Sequence, residues 1–160
     1  MLRLVLLTLA IVGAFAALFA IAQILRVGRA LPPTRYLGLH DGRLAPCRDR
    51  PNCVSTDEER PEFHMTAWPF SGDAAATQAR LRSIVAARPR TRVLRDEPGY
   101  LWIEFRSFLF RYPDDVELVV DEAAHVVRFR SASRVGHSDL GVNRKRMESL
   151  ERAFLAGADR

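Results

Sequence analysis

From Leu4 to Leu25 the chain runs 22 residues without a charge, and only Thr8, Gly13 and Gln23 interrupt the apolar run. As an α-helix, at about 1.5 Å per residue, this segment reaches roughly 33 Å, enough to cross a bilayer core of about 30 Å. A cleaved signal peptide usually carries an apolar stretch of only about 7–15 residues, so length favours a retained anchor over residues 1–25. Ala20-Ile21-Ala22 before Gln23 keeps cleavage after Ala22 as the rival reading. With the anchor set aside, apolar residues make up about two-fifths of the rest, as in a soluble domain. The expected organisation is an anchor at 1–25, a linker at 26–52 holding the first cysteine, and one globular domain at 53–160. Pro32-Pro33, Gly38 and Gly42 leave the linker no periodic apolar face.

Charge is unevenly spread. The net charge is +5, and all but one of the 24 basic residues are arginine. Arg26–Val127 is neutral, whereas Arg128–Arg160 holds eight basic residues against four acidic ones. No nucleic-acid-binding motif accompanies the surplus, so nucleic acid is not an expected partner. Arg26, Arg29, Arg35 and Arg43 outnumber Arg3 across the anchor, which by the positive-inside rule alone puts the second flank in the cytoplasm. That rule weakens when a whole domain follows the helix.

Cys47 and Cys53 bracket Arg48-Asp49-Arg50-Pro51-Asn52. A disulfide there closes a small loop and stabilises by about 2 kcal/mol on the chain-entropy model. Two free thiols, or a metal site completed by His40 or His64, are the alternatives; the spacing matches no zinc knuckle. No cofactor or metal is expected.

Beyond the linker, His64–Phe70 reads as a short strand limited to an edge by Pro69. Asp73 caps a helix over Ala74–Ala87, with Ala74, Thr77, Leu81, Ile84 and Val85 on one face. Thr91–Leu94 and Tyr100–Phe105 flank a Pro98-Gly99 turn. Leu101, Ile103 and Phe105 share a face, and Phe108, Phe110 and Tyr112 then carry the apolar positions, which calls for a bulge near Arg106–Ser107. Val116–Val120 and Val126–Phe129 form a hairpin through Asp121–Ala124. Ser138 or Asp139 caps a last helix through about Ala156, with Val142, Met147, Leu150 and Phe154 along its stripe. The order β-α-β-β-β-β-α implies an α+β fold, an antiparallel meander with two helices packed on it.

The stretch from Arg128 to Arg146 leaves a strand, crosses small hydroxyl residues and enters a capped helix. Such a place gathers backbone N–H groups, hydroxyls and guanidinium groups suited to a phosphate or carboxylate. Ser131, Ser133, Arg134, Asn143 and Arg144 are the candidate ligand-binding residues. Opposite them, parity sets Glu117 across from Arg128 and Asp115 across from Arg130 as structural ion pairs. A hydrolytic reading uses Asp115, Asp139 or His137 as base and the arginines to stabilise developing negative charge. No nucleophile elbow supports it. Trp68 and Trp102 are expected at the core or its edge, and His125 at an exposed turn.

Pro46-Cys47, Pro51-Asn52-Cys53-Val54-Ser55, Asp114-Asp115-Val116-Glu117, Arg130-Ser131-Ala132-Ser133-Arg134-Val135-Gly136 and Ser138-Asp139-Leu140-Gly141-Val142-Asn143-Arg144 resemble motifs of the DUF1499 family, uncharacterised bacterial and plastid proteins. The resemblance spans roughly Gly38–Leu155. Arg48 and Arg50 replace a proline and a serine usual in the family pattern, and His137 stands where an aromatic residue is common. The resemblance implies a small domain, often membrane-attached or exported, with no established activity to carry over. With both cysteines matched, it places the domain on the oxidising, periplasmic side of a bacterial inner membrane. The resulting expectation is a single-pass anchored domain that binds a small anionic ligand, a lipid headgroup or an acidic envelope partner. An envelope hydrolase and a purely structural envelope component are the alternatives.

Overall fold

The computed structural model describes residues 1–28 and 36–156. Arg29, Arg35 and Pro32-Pro33 of the expected linker, and the last four residues of the expected domain, lie outside the described residues. Helix α1 (Leu2–Gly28) contains the uncharged run and is apolar and long enough to cross a membrane, with none of its apolar window buried against the domain. A helix packed into a soluble core would show the opposite. Helix α1 is thus a candidate membrane anchor or signal sequence.

The folded part is α+β. Two-residue strands β1 (Leu39–His40) and β2 (Arg43–Leu44) form a small hairpin inside the expected linker, turned by Asp41 and Gly42, both at positive φ. Then come β3 (Cys53–Ser55), β4 (Trp68–Pro69), α2 (Ala74–Ala86), β5 (Thr91–Glu97), β6 (Tyr100–Arg106), β7 (Pro113–Asp121), β8 (Val126–Ser133) and α3 (Val142–Leu155). The main sheet is antiparallel in the order β3-β8-β7-β6-β5, and β4 continues the β3 edge along β8.

Period-two alternation gives this sheet two covered faces, and each is built differently. On one face Leu101, Ile103, Val116, Leu118, Val127 and Phe129 pack with Trp68 against Leu81 and Val85 of α2 and Met147, Leu150 and Phe154 of α3. Asp73 caps α2 by accepting the Ala76 N–H at 2.7 Å. Gly141, not Ser138 or Asp139, is the α3 N-cap, and its left-handed φ of 77° suits a residue without a side chain. Asp139 still supplies the capping oxygens from two residues upstream, accepting from the Gly141 and Asn143 N–H groups.

The opposite face carries Tyr100, Trp102 and Glu104 of β6, Asp115, Glu117 and Val119 of β7, and Arg128, Arg130 and Ala132 of β8. Residues 36–50 lie over it. Leu44 packs with Tyr100 and Val119, and the Gly38 N–H donates to Glu117 at 2.6 Å. A stretch read as linker therefore carries ordered cover, because a few anchors (Leu44, Ala45, Cys47) are buried without any periodicity.

Two strand expectations need correction. His64–Phe70 is strand only at Trp68–Pro69, with His64 bridging Ser55 in isolation. Phe108, Phe110 and Tyr112 form no strand: the chain turns back at Ser107, whose N–H donates to the Tyr112 carbonyl, and the apolar tip stays exposed. Reversal of direction, rather than a bulge, resolves the change of parity.

Cys47 and Cys53 form a disulfide, buried against Phe63 and Ala132. It pins the covering segment to the β3 edge. Reduction should cost about 2 kcal/mol on the loop-entropy model. Denaturant titration with and without a reductant able to reach the buried bond checks this; equal midpoints would contradict it.

Candidate functional site

The sequence motif places its charges on the covered face, and the geometry there is closed. Within the hairpin, Glu117 lies across from Arg130 and Arg128 across from Val119. The expected pairing is thus shifted, although the faces are the same. Asp121 sets the register: its carboxylate accepts the Ala124 N–H, and it pairs with Val126 at the foot of the hairpin. Glu117 is fully buried and receives Gly38 N–H, the Tyr100 hydroxyl at 2.7 Å and Arg130 at 3.3 Å. Burial pushes the Glu117 carboxyl upward, and burial together with that carboxylate pushes the Tyr100 phenol up.

Asp115, across from Ala132, meets Arg134 instead of Arg130. Arg134 grips it with Nε at 2.8 Å and Nη2 at 2.7 Å, and gives Nη1 to Glu104 at 2.7 Å. Only 3% of the Arg134 side chain is exposed. The Trp102 indole donates to the same Asp115, and Arg106 takes the other oxygen of Glu104. Arg128 spans outward to Asp57 at 2.7 Å and Asp121 at 3.1 Å.

Ser131, Ser133 and Asn143 belong to a second closed network on the helix side. Asn143 is fully buried on α3. It accepts from the Ser131 hydroxyl at 2.6 Å and donates to the Asn52 carbonyl, the Ser133 hydroxyl and Asp139. Arg146 joins it through Ser131 and Asn143 and pairs with Asp114. Asn52 returns a bond to the Gly136 carbonyl. This joins the disulfide segment, the end of β8 and the start of α3. Four of the five residues expected to hold a ligand therefore hold the chain to itself.

Arg144 is the fifth, and it sits differently. Half-buried, it donates to the Glu62 and His64 carbonyls and lines a cavity of about 510 Å³ with Arg50, His137 and the disulfide edge. Asp49, Glu62 and Asp139 line the same cavity, so its sign is mixed. His137 and Asp115 share no pocket, and Asp115 is already gripped by Arg134, which counts against the hydrolytic set. His125 is an exposed turn residue against Phe70; Trp68 is core and Trp102 lies on the covered face. Among the described residues no group of three or more His, Cys, Asp or Glu side chains is arranged to hold a metal ion.

A different opening lies where the strands end. A cleft of about 450 Å³ runs between the β6–β7 turn and the β8–α3 loop, lined by Ser107, Tyr112, Asp114, Ser133, Val135, Ser138 and Val142. Its carboxylates are spoken for by Arg146 and by Asn143. Ser107 and Ser133 each accept one N–H, which leaves their hydroxyl protons to donate. Leu140, next in sequence to the lining residue Asp139, is 87% exposed. Sequence reading missed this cleft because its apolar residues looked like strand and helix faces. Beside it, Phe108-Leu109-Phe110 is too apolar for an ordinary turn, although none of the three lines the cleft.

The model of DUF1499, a protein family of unknown function, matches residues 43–154. The chain belongs to the DUF1499 family. No curated protein and no solved structure matches it. The matched span of this DUF1499 chain starts at β2 and ends within α3, so it takes in the disulfide, both polar networks and both cavities, and excludes α1.

One further ionic site clamps the covering segment of the DUF1499 domain. Glu58 accepts from Arg60 and from the Cys47 N–H. The Arg60 guanidinium first, and then those N–H groups, hold its carboxyl down at about 2. A depressed carboxyl stabilises above its unfolded pKa of about 4.3 and loses that contribution as pH falls towards the folded value. Glu58→Gln should therefore cost stability at pH 7 and about half as much at pH 3, as read by denaturant midpoints. Equal losses at both values would contradict the assignment.

Proposed function

We propose that this DUF1499 chain is a membrane-anchored, non-catalytic binding domain, held by α1 on the oxidising, periplasmic side of a bacterial inner membrane. Its binding site is the strand-end cleft, and its ligand is an amphiphile such as a lipid. The observation that carries this reading is the cleft itself, with hydroxyl donors at Ser107 and Ser133 and apolar walls at Tyr112, Val135 and Val142. Such a lining suits a molecule with one polar end and one apolar body. The disulfide supports the oxidising side, and the length of α1 supports the anchor.

A free small anion is favoured less. Arg134 is consumed by Asp115 and Glu104, and the cavity beside Arg144 carries three carboxylates. Catalysis is favoured less again, because Asp115 is gripped by Arg134 and Asp139 is engaged by the start of α3.

Native mass spectrometry of the full chain, extracted from membranes in mild detergent, tests the reading. A retained lipid-like mass is expected, and it should disappear in Val142→Asp, which puts a charge on the cleft wall. An acidic residue in the first turn of α3 suits the helix dipole, so that variant should stay folded. Absence of any retained mass, or its persistence in the variant, would overturn the cleft assignment.

A further inference from the structure

The β6–β7 turn presents Phe108 at 79% exposure and Leu109 at 66%, with Phe110 and Tyr112 also exposed. Phe108, Leu109 and Phe110 follow one another at a turn tip and belong to none of the core clusters. Arginines stand beside them, with Glu104 across from Arg92 in the sheet. Arg90 lies over the Phe108 ring at 5.4 Å, and the Arg106 N–H donates to the Arg90 carbonyl, so the α2–β5 corner is fixed beside the tip. That corner brings exposed Arg90 and Arg92, and the turn adds exposed Arg111. No acidic residue occurs between Asp73 and Asp96, or between Glu104 and Asp114. An apolar tip within an arginine collar matches the chemistry of a bilayer interface, where acyl chains lie beneath anionic headgroups.

The tether keeps a bilayer within reach. Residues 29–35 span at most about 25 Å between the end of α1 and Tyr36. The covering segment reaches β7 at Glu117, four residues and roughly 13 Å along the strand from the start of the turn.

We infer that the Phe108-Leu109-Phe110 turn inserts into the interface of the membrane that holds the anchor, with Arg90, Arg92 and Arg111 meeting anionic headgroups. This rests on the membrane-attached reading of α1 and is independent of what fills the cleft. Docked this way, the neighbouring cleft opens towards lipid.

The test is Leu109→Trp in the full chain, reconstituted into vesicles of phosphatidylcholine with phosphatidylglycerol and of phosphatidylcholine alone, each with brominated acyl chains. Emission from the unsubstituted chain accounts for Trp68 and Trp102. The added indole should be blue-shifted and quenched by the bromines, most strongly with phosphatidylglycerol. Each of Arg90→Gln and Arg111→Gln should lower the ratio of inserted to free turn about fivefold. Water-like, unquenched emission would overturn the proposal. So would emission that is blue-shifted in detergent and vesicles alike but insensitive to bromine, since a protein surface such as a second copy would then cover the turn. Flotation reports the anchor separately: a chain that floats with its turn unquenched refutes insertion alone, and one that fails to float refutes the membrane attachment beneath it.

Discussion

Arg134→Met is expected to cost about 3–5 kcal/mol, the range for removing one partner from a buried ion pair. The reason lies in what stays behind. Asp115 and Glu104 both turn their oxygens to Arg134 in a place with almost no solvent access, and neither has water to take its place. Asp115 keeps the Trp102 indole and Glu104 keeps Arg106, so the loss stops short of stranding two bare charges. A domain of this size has only about 5–15 kcal/mol in total, so the variant should unfold near physiological temperature. Arg134→Lys should recover little, because an ammonium cannot reproduce the two-pronged grip on Asp115. Denaturant titration of the two variants checks both statements. Surface pairs such as Arg95–Glu97 offer the control: Arg95→Ala should change stability by less than about 1 kcal/mol.

Asn143→Leu is the second large effect. The substitution keeps the volume and removes an amide that meets Ser131, Ser133, Asp139 and the Asn52 carbonyl. Each buried polar group left unpaired costs about 1–3 kcal/mol; the fully buried Ser131 hydroxyl loses the acceptor of its proton, and Arg146 loses the Asn143 oxygen. A loss of about 3 kcal/mol or more follows. Asn143→Asp is the sharper variant. It replaces an N–H₂ donor with an oxygen facing Asp139, Ser133 and the Asn52 carbonyl, and Asp114 lies on the other side of Arg146. Arg146 beside it lowers the new carboxyl but is already shared with Asp114 and Ser131, so burial and the facing Asp139 should raise it above its unfolded value. Its cost must then grow as pH rises through that raised value. Stability measured at pH 4 and pH 7 should show the larger loss at pH 7; a loss that does not depend on pH would contradict the network.

How far these features could be read from sequence depends on which physical rule each one obeys. Helix α2 announced itself through Asp73 and the spacing of Thr77, Leu81 and Val85, all local signals. The meander followed from alternation. Register did not, because alternation fixes faces while the pairing waits on the turn: the hairpin closes at Asp121–Val126, one residue later on each strand than the pattern suggested. That shift keeps every side chain on its face and changes every partner.

The motif residues were found in the sequence, with Asp115, Glu117, Arg128 and Arg130 read as ion pairs and Ser131, Ser133, Arg134, Asn143 and Arg144 read as facing a ligand. Arginine, serine and asparagine at a strand end suit an anion and suit an internal clasp equally well. The choice depends on whether something covers them. The cover is residues 36–50, whose few anchors have no period to detect, held by Gly38, Leu44 and a disulfide. One clue lay in the strands: Arg128 and Arg130 alternate on β8, with Arg134 just past its end, as Asp115 and Glu117 do on β7. Asn52, Glu104, Tyr100, Arg146 and Glu58 carried no local signal at all, since each is recruited across the fold. The exposed turn at Phe108–Tyr112 was misjudged for the opposite reason. Apolar residues were credited to the core when the fold leaves them outside.

A double-mutant cycle on Arg134 and Asp115, measured by equilibrium unfolding of the full chain in detergent, tests the central claim that the motif's arginines hold the fold. Arg134→Gln and Asp115→Asn should each be costly, and the double variant should lose less than their sum by about 1.5 kcal/mol or more. Additive losses, or an Arg134→Gln chain as stable as the unsubstituted one, would contradict that claim and return Arg134 to the list of ligand-binding residues.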